Sequence, residues 1–307
     1  MRGFIVASLD SYCWKRDIKF SNSGLELADF QLAFLKTLEK AMSEHDFAKI
    51  KSDYNRDGFV SGVRILPEKE ALSHRVRLEK NELSAGNMHY KSKVHTILTS
   101  PYEIATTPSV LDIVEQIIGP DILLYNATYI IKEPGSPSHV SWHQDLTYWG
   151  FSDDDQVAMW LALSPATPES GCMRMIPGSH KTGFHKHDNM DDDTNVLWQS
   201  QTVQGVDEGT AVMCPLAVGE ASFHHGWTLH ASLPNISDDR RIGLSVNYLA
   251  THMSQTKNHR DTAMLVRGKD EYGHFGVDIP AQRDFDPAAV EKQAELDARL
   301  IEITAQG

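Results

Sequence analysis

Short stretches of β-type sequence follow one another between residues 121 and 250, with turn residues and no helical pattern between them. Strands at this density are typical of a sandwich or a jelly roll. The chain is therefore predicted to be mainly β with flanking helices, and its core is expected at about residues 120–250. The predicted strands cover residues 122–125, 128–132, 157–163, 210–213, 221–224 and 242–249.

The predicted helices flank this core in the sequence. Apolar residues recur at helical spacing over 27–44, and a helix is expected from Pro67 to about residue 83. Ser109 is predicted to cap a further helix over 110–118. Charged residues over 287–305 indicate a C-terminal helix that packs outside the core. We expect residues 1–25 to be an arm or extension and residues 26–307 to form a single domain.

Charge and cysteine content limit the partners and the compartment. The net charge is −13, from 29 basic and 42 acidic residues, which argues against nucleic acid and anionic membranes as partners. The three cysteines are widely spaced and odd in number, so no disulfide framework is expected. A reducing cytoplasm fits best. We therefore predict a cytoplasmic monomer or homodimer whose partner is a small molecule.

Two histidines and one aspartate are candidate metal ligands. His143 and Asp145 stand two residues apart, which on a strand places both side chains on one face, and His230 is expected from another strand across the barrel. Two histidines and one carboxylate hold Fe(II) in non-heme oxygenases and leave three coordination positions open. The His-x-Asp pattern alone is weak in a chain with 15 histidines, where a hydrogen-bonded surface pair is commoner. Arg241, eleven residues past His230, suggests a clamp for a carboxylate beside the metal.

Three sequence elements occur in order around these residues, and with them the chain resembles the phytanoyl-CoA dioxygenase family of Fe(II)/2-oxoglutarate oxygenases over roughly residues 55–250. The elements are W-H-Q-D at 142–145, E-S-G-C-M-R-M-I-P-G-S-H at 169–180, and H-A-S-L-P-N at 230–235 followed by Arg241. A short motif needs agreement from its surroundings, and here three agree in order and spacing. The resemblance implies a double-stranded β-helix, a cupin-like jelly roll.

The same resemblance implies the roles of individual residues. His143, Asp145 and His230 would hold the iron. Arg241 would bind the C5 carboxylate of 2-oxoglutarate. The other residues implied for the cosubstrate are Ser232, which would hydrogen-bond that carboxylate, and Asn126 and Trp160, which would line its pocket. Trp160 is explained equally well as plain core packing. Arg240 competes with Arg241, but adjacent strand residues face opposite ways and the spacing favours Arg241.

The implied reaction is hydroxylation of a small or medium-sized organic substrate. It would use Fe(II), 2-oxoglutarate and O2 and release succinate and CO2. Related halogenases have Ala or Gly in place of the carboxylate ligand, so Asp145 favours hydroxylation. Two other functions remain open: a zinc hydrolase, which leaves Arg241 and Ser232 without a role, and a non-catalytic jelly-roll binding protein.

Substrate contacts are predicted beside the metal ligands. Tyr148 and Trp149 follow Asp145 and would contact substrate or else form a hydrophobic plug. His225 is a further candidate, although a hydrogen-bonded strand histidine explains it as well. The loop over 181–205 is a candidate lid, and residues 84–100 are expected to share in specificity.

Overall fold

The computed structural model describes residues 47–258 and 261–306. The compact unit that contains them begins at Phe47. The predicted arm at 1–25 and the predicted helix at 27–44 lie outside the described residues. The division of the chain into an arm and one domain therefore stays a prediction.

The strands form two main sheets and a small ribbon. The larger sheet has the order β1-β9-β4-β11-β2-β12-β13, the smaller sheet has the order β3-β10-β5-β8, and β6 pairs with β7. The strands are β1 (Phe59–Arg64), β2 (Ile122–Lys132), β3 (Val140–His143), β4 (Gln156–Ala162), β5 (Met173–Met175), β6 (His187–Asp188), β7 (Thr202–Val203), β8 (Val212–Cys214), β9 (Glu220–His225), β10 (His230–Ser232), β11 (Arg241–Ala250), β12 (Thr262–Arg267) and β13 (Gly276–Val277).

Except for a short helix between β3 and β4, the helices precede or follow the strand-rich segment 121–250 as expected. They are α1 (47–57), α2 (Glu68–Ala85), α3 (Thr99–Ala105), α4 (Pro108–Ile118), α5 (Leu146–Trp149) and α6 (Pro287–Thr304). None of the helices in the described part of the chain is both long and apolar enough to cross a membrane.

Some predicted boundaries are wrong. The predicted strands 122–125 and 128–132 are one continuous strand, β2, because the intervening Asn126 stays extended and paired with β11. Ser109 is not a cap: α4 begins one residue earlier, at Pro108, whose fixed φ suits the first helical position. The short strand β5 and the strand β12 were not predicted.

Strand β11 shows that the larger sheet has the hydrophobic core on one face and the cavity on the other. Leu244, Val246 and Tyr248 share a hydrophobic cluster with α2, α3 and α4, which cover one face of the sheet. The intervening Ser245 and Asn247 line a cavity on the other face. Since side chains alternate along a strand, one run of residues supports both the core and the cavity.

The two main sheets share a second hydrophobic cluster. Trp160 and Ala162 of β4 pack there with Met173 and Met175 of β5 and Cys214 of β8. Two sheets that pack through their inner faces make a sandwich. The predicted mainly-β jelly roll is confirmed, and the cavity lies where the inner faces carry polar residues.

Candidate active site

His143 and His230 are brought together by strand pairing. His143 ends β3, His230 begins β10, and the two residues are direct partners in the antiparallel ladder. Their ring centroids lie 4.0 Å apart. The expectation that His230 comes from across the barrel is wrong, because β10 is the immediate neighbour of β3 in the smaller sheet.

Asp145 completes the cluster through a turn of the backbone. Its φ of −60° and ψ of −42° are helical, and it stands at the N-terminus of α5, so it does not continue β3 as the strand geometry predicted. Asp145 Oδ1 lies 3.4 Å from His143 Nε2 and 3.6 Å from His230 Nε2. All three ligand atoms lie within 4.8 Å of one another, a spacing that allows one metal ion to bind all three.

Backbone carbonyls fix the tautomer of both candidate histidine ligands. His143 Nδ1 lies 2.8 Å from the Ser141 carbonyl oxygen, and His230 Nδ1 lies 2.9 Å from the Thr228 carbonyl oxygen. A carbonyl oxygen can only accept, so each Nδ1 carries the proton and donates it. Each Nε2 therefore keeps a free lone pair directed towards Asp145, the form that binds a metal.

Charge in this cluster follows from burial and proximity. Burial lowers the pKa of His230 well below its usual value, and neighbouring His143 adds to this effect. Burial alone would raise the pKa of Asp145, but His230, His143 and His224 together hold it well below its usual range. Neutral His230 and anionic Asp145 are the forms that bind a metal.

Arg241 is a buried cation at the edge of the same cavity. It is the first residue of β11, is 1% exposed, and donates from Nη1 to the Gly171 carbonyl oxygen over 2.6 Å. Its buried Nε has no hydrogen-bond partner, and no carboxylate among residues 47–258 and 261–306 pairs with it. Burial lowers its pKa to about 10. Such a group requires an anion to offset its desolvation.

Trp160 contacts Arg241 in addition to packing in the hydrophobic core. The Arg241 guanidinium carbon lies 5.1 Å from the centre of the Trp160 ring. Gly243 makes this possible, because a Cβ there would lie 1.9 Å from Trp160 Cζ2. By contrast, Arg240 faces away and forms ion pairs with Glu82 and Glu133. The choice of Arg241 over Arg240, made from its spacing to His230, agrees with this geometry.

Ser232 is oriented by a lysine that the sequence analysis missed. Lys132, at the end of β2, is buried and donates from Nζ to Ser232 Oγ over 2.8 Å and to the Ser232 carbonyl oxygen over 3.2 Å. When Lys132 is charged, Oγ accepts this bond and the Ser232 hydroxyl proton is free to donate elsewhere. Burial, with Arg241 nearby, lowers the pKa of Lys132 to about 6.

A cavity of about 480 Å³ joins these groups. The predicted cosubstrate residues Asn126, Trp160, Ser232 and Arg241 all line it, as do Tyr148 and Trp149. The full lining comprises Tyr90, Ser92, Asn126, Thr128, Ile130, Val140, His143, Asp145, Tyr148, Trp149, Trp160, Met173, Val196, Leu197, Trp198, Gln199, His224, His230, Ala231, Ser232, Arg241, Ser245, Asn247, Leu300, Ile301 and Thr304.

His225 is the predicted site residue that the structure places elsewhere. It is absent from the cavity lining, and its Nε2 lies 3.8 Å from Asp154 Oδ2. Its neighbour His224 faces the cavity and lies 3.3 Å from Asp145 Oδ2. Alternation along β9 allows only one of the pair to face inward. The sequence could not show which one, because the register of β9 was unknown.

The sequence did not predict the individual residues of three further parts of the lining. Two of these parts were predicted only as segments, and the third was not predicted. Val196 to Gln199 belong to the loop over 181–205, and Tyr90 and Ser92 belong to residues 84–100. The last turn of α6 contributes Leu300, Ile301 and Thr304, although this helix was predicted to pack outside. Apolar residues among many charges in α6 were the available signal.

The donor set fits Fe(II) and a dicarboxylate. Two imidazole nitrogens and one carboxylate oxygen form an open set of three ligands, whereas a structural zinc site closes its fourth position with a protein ligand. The orphaned Arg241 supplies the positive charge that a carboxylate cosubstrate needs. Fold and site therefore define an Fe(II)/2-oxoglutarate-dependent dioxygenase, an oxidoreductase.

Comparison with known proteins identifies the family. The sequence model for phytanoyl-CoA dioxygenase (PhyH) matches residues 35–243, and the chain belongs to this family. The resemblance seen in the sequence is confirmed. Membership also removes the zinc hydrolase and the non-catalytic binding protein as alternatives.

Individual relatives are more distant. A probable alpha-ketoglutarate-dependent hypophosphite dioxygenase of Stutzerimonas stutzeri is 25% identical over 79% of this chain and 85% of its own length. The peroxisomal phytanoyl-CoA dioxygenase of Bos taurus is 29% identical over 58% of this chain and 56% of its own. The solved structure of ThoJ, a non-heme monooxygenase in its apo form, superposes with a TM-score of 0.74 and 29% identity, covering 84% of this chain and 98% of ThoJ.

Proposed function

We propose that this dioxygenase hydroxylates a small or medium-sized organic substrate in the cavity between its sheets. One observation carries the proposal: the free Nε2 atoms of His143 and His230, the Asp145 carboxylate and the unpaired Arg241 all meet the same cavity. A metal and an anionic cosubstrate would then lie side by side, with room beside them for a substrate.

His143, Asp145 and His230 are the proposed iron ligands. When bound, Fe(II) supplies the activation of O2 that is coupled to decarboxylation of 2-oxoglutarate to succinate and CO2. The protein contributes a fixed set of donors: the Ser141 and Thr228 carbonyls hold both imidazoles in their metal-binding tautomer. Asp145 occupies the position that a halide would need, which favours hydroxylation over halogenation.

Arg241 and Ser232 are the proposed partners of the distal carboxylate of 2-oxoglutarate. Arg241 would offer the charge of its guanidinium, and Ser232 would offer a hydroxyl proton because charged Lys132 donates to its oxygen. Trp160 keeps the guanidinium in place. Asn126 lines the cavity, and its Oδ1 accepts from the Lys93 amide over 2.7 Å, which fixes the orientation of the side-chain amide.

The walls of the cavity favour a compact substrate with an apolar portion. Tyr148 and Trp149 lie on one side, and Val196, Leu197 and Ile301 also line it. Arg241 is the one lysine or arginine in the lining formed by the described residues, and the cosubstrate would neutralise it. This lining offers no further cation for the phosphates of a coenzyme A thioester.

The first test is spectroscopic. Metal-free protein would receive Fe(II) and then 2-oxoglutarate without O2, and the weak visible charge-transfer band of a chelated Fe(II)–2-oxoglutarate complex would be recorded. We expect the band in the wild type, a weaker band in Arg241→Ala and none in His143→Ala. Absence of the band in the wild type, with zinc retained after purification, would overturn the proposal.

The substrate can be identified by the increase in 2-oxoglutarate turnover that it causes. Succinate formation would be measured with a panel of uncharged apolar acids and alcohols, small amines, phosphonates and acyl-CoA thioesters. Stimulation by compact compounds with an apolar portion supports the proposed class. Stimulation by acyl-CoA thioesters alone would contradict it.

Other sequence predictions remain proposals. The net charge of −13 supports the absence of a nucleic-acid or membrane partner, and the cysteine content supports a cytoplasmic location. We also propose that the protein is a monomer or homodimer and that residues 26–307 form a single domain. Light scattering of the purified chain decides between monomer and homodimer.

A further inference from the structure

We propose that His224 is a positioning residue for Asp145, which holds one carboxylate oxygen so that the other is directed to the metal. The inference rests on the proposed iron site and adds a residue to it. His224 is not among the three residues whose ligand atoms lie within 4.8 Å of one another. Its role is therefore to act through Asp145.

The two oxygens of Asp145 have different neighbours. Oδ1 faces the Nε2 atoms of both histidine ligands, at 3.4 Å and 3.6 Å. Oδ2 faces His224 Nε2 at 3.3 Å. A carboxylate that shared both oxygens with the metal would occupy two coordination positions, whereas one held through Oδ2 presents Oδ1 alone.

The surroundings of His224 select its tautomer. Its Nδ1 is buried and has no hydrogen-bond partner, so a proton there would leave an unsatisfied donor. A lone pair on Nε2 would face the lone pairs of Oδ2 and repel them. The proton therefore belongs on Nε2, from which His224 donates to Asp145.

The larger sheet fixes the position of His224. It is buried in β9, paired with Ala158 of β4 on one side and Phe59 of β1 on the other. Its ring centroid lies 4.6 Å from that of His230. Asp145 follows β3 of the smaller sheet, so His224 links the carboxylate ligand to the opposite sheet.

Matched variants separate this hydrogen bond from simple packing. His224→Gln keeps an N–H donor at the position of Nε2, His224→Asn moves it to that of Nδ1, and His224→Phe removes it. Ser222→Ala, on the same strand, is the control, because Ser222 Oγ has no partner and does not line the cavity. Cobalt(II) is the probe, and its affinity and visible absorption spectrum would be measured together with the melting temperature of each metal-free variant.

Loss of an outer hydrogen-bond partner weakens metal binding by about 10- to 100-fold. We expect that loss, with a changed cobalt spectrum, in His224→Asn and His224→Phe. We expect His224→Gln to recover most of the affinity and Ser222→Ala to match the wild type. Equal affinity in wild type, Asn and Phe variants would overturn the proposal, as would an equal loss in Gln and Asn. If the wild type binds no cobalt, or His143→Ala binds it equally well, the iron site itself fails.

Discussion

Arg241 and Lys132 are two buried basic side chains that are partners in the ladder between β11 and β2. Neither forms an ion pair with a carboxylate of the described residues. Parity along the strand allowed only one of Arg240 and Arg241 to face the site, and the spacing from His230 favoured Arg241. Lys132 was missed, since nothing in the sequence gives the register between two strands so far apart in the chain.

Replacing Arg241 separates cosubstrate binding from metal binding. A hydrogen bond to a charged group contributes about 1.5–3 kcal/mol, so Arg241→Met should weaken 2-oxoglutarate binding roughly 10- to 150-fold. Iron affinity should stay near the wild-type value, because the guanidinium donates to the Gly171 carbonyl oxygen and not to a proposed metal ligand. Anaerobic calorimetry measures both. A parallel loss of iron binding would show that Arg241 holds the metal site together instead.

Lys132 makes cosubstrate binding dependent on pH. Its pKa of about 6 leaves it neutral at pH 7.5 in the free protein. A bound dianion beside it would raise that pKa, so the complex takes up a proton and affinity falls as pH rises above about 6. The number of protons taken up is measured by calorimetry, from the dependence of the binding enthalpy on the ionisation enthalpy of the buffer. Lys132→Met should abolish the uptake, and a wild type with no buffer dependence would contradict the argument.

At the scale of elements, the sequence located long patterned segments well and short ones poorly. The predicted strand 242–249 and the predicted helix 287–305 each end within one residue of the observed bounds of β11 and α6. Strand β5 has only three residues, too few to show a period. The predicted strand conformation of Asp145 was wrong. The backbone changes from strand to helix within two residues of His143, and so short a change leaves no periodic signal in the sequence.

Helix α6 forms a wall of the cavity through its last turn. Asp297 of this helix accepts from the Ser92 amide over 2.9 Å, and Gln293 donates to the Ser92 carbonyl oxygen over 2.6 Å. Near its end, Lys257 donates to the carbonyl oxygens of Ile303 and Tyr148 over 3.4 and 3.2 Å. The helix is thereby tied to two segments that line the cavity. It follows the region that the family model matches, 35–243, so it is a candidate source of specificity particular to this chain.

A larger side chain at position 301 should reduce the room for substrate in the cavity without changing 2-oxoglutarate binding. Ile301 lines the cavity and is 51% exposed, so a larger side chain can be accommodated without disrupting the core. We expect Ile301→Trp to lower kcat/KM for the largest accepted substrates on the order of tenfold and to spare the smallest. The charge-transfer band with 2-oxoglutarate should be unchanged. Val290→Trp, on the same helix and outside the cavity lining, is the control, and equal effects of both changes would place specificity elsewhere.

At the scale of the whole molecule, the proposed ligands connect two sheets. His143 and His230 belong to the smaller sheet, whereas Arg241 and His224 belong to the larger one. The density of strands predicted a sandwich or a jelly roll, and the family resemblance implied the jelly roll. The sharing of one site between its sheets could not, because sequence spacing says which residues lie on a strand and not which strands face each other.

Binding should therefore stabilise both sheets together. A ligand at 100 times its Kd adds about 2.7 kcal/mol to the free energy of unfolding, which for a domain of this size raises Tm by roughly 5 °C. We expect Fe(II) and 2-oxoglutarate, without O2, to produce such a rise and to slow hydrogen exchange in β3, β10 and β11. Arg241→Met should keep the part due to metal and lose the part due to cosubstrate, while His143→Ala should lose both. Protection confined to the smaller sheet would mean that the cosubstrate does not reach Arg241.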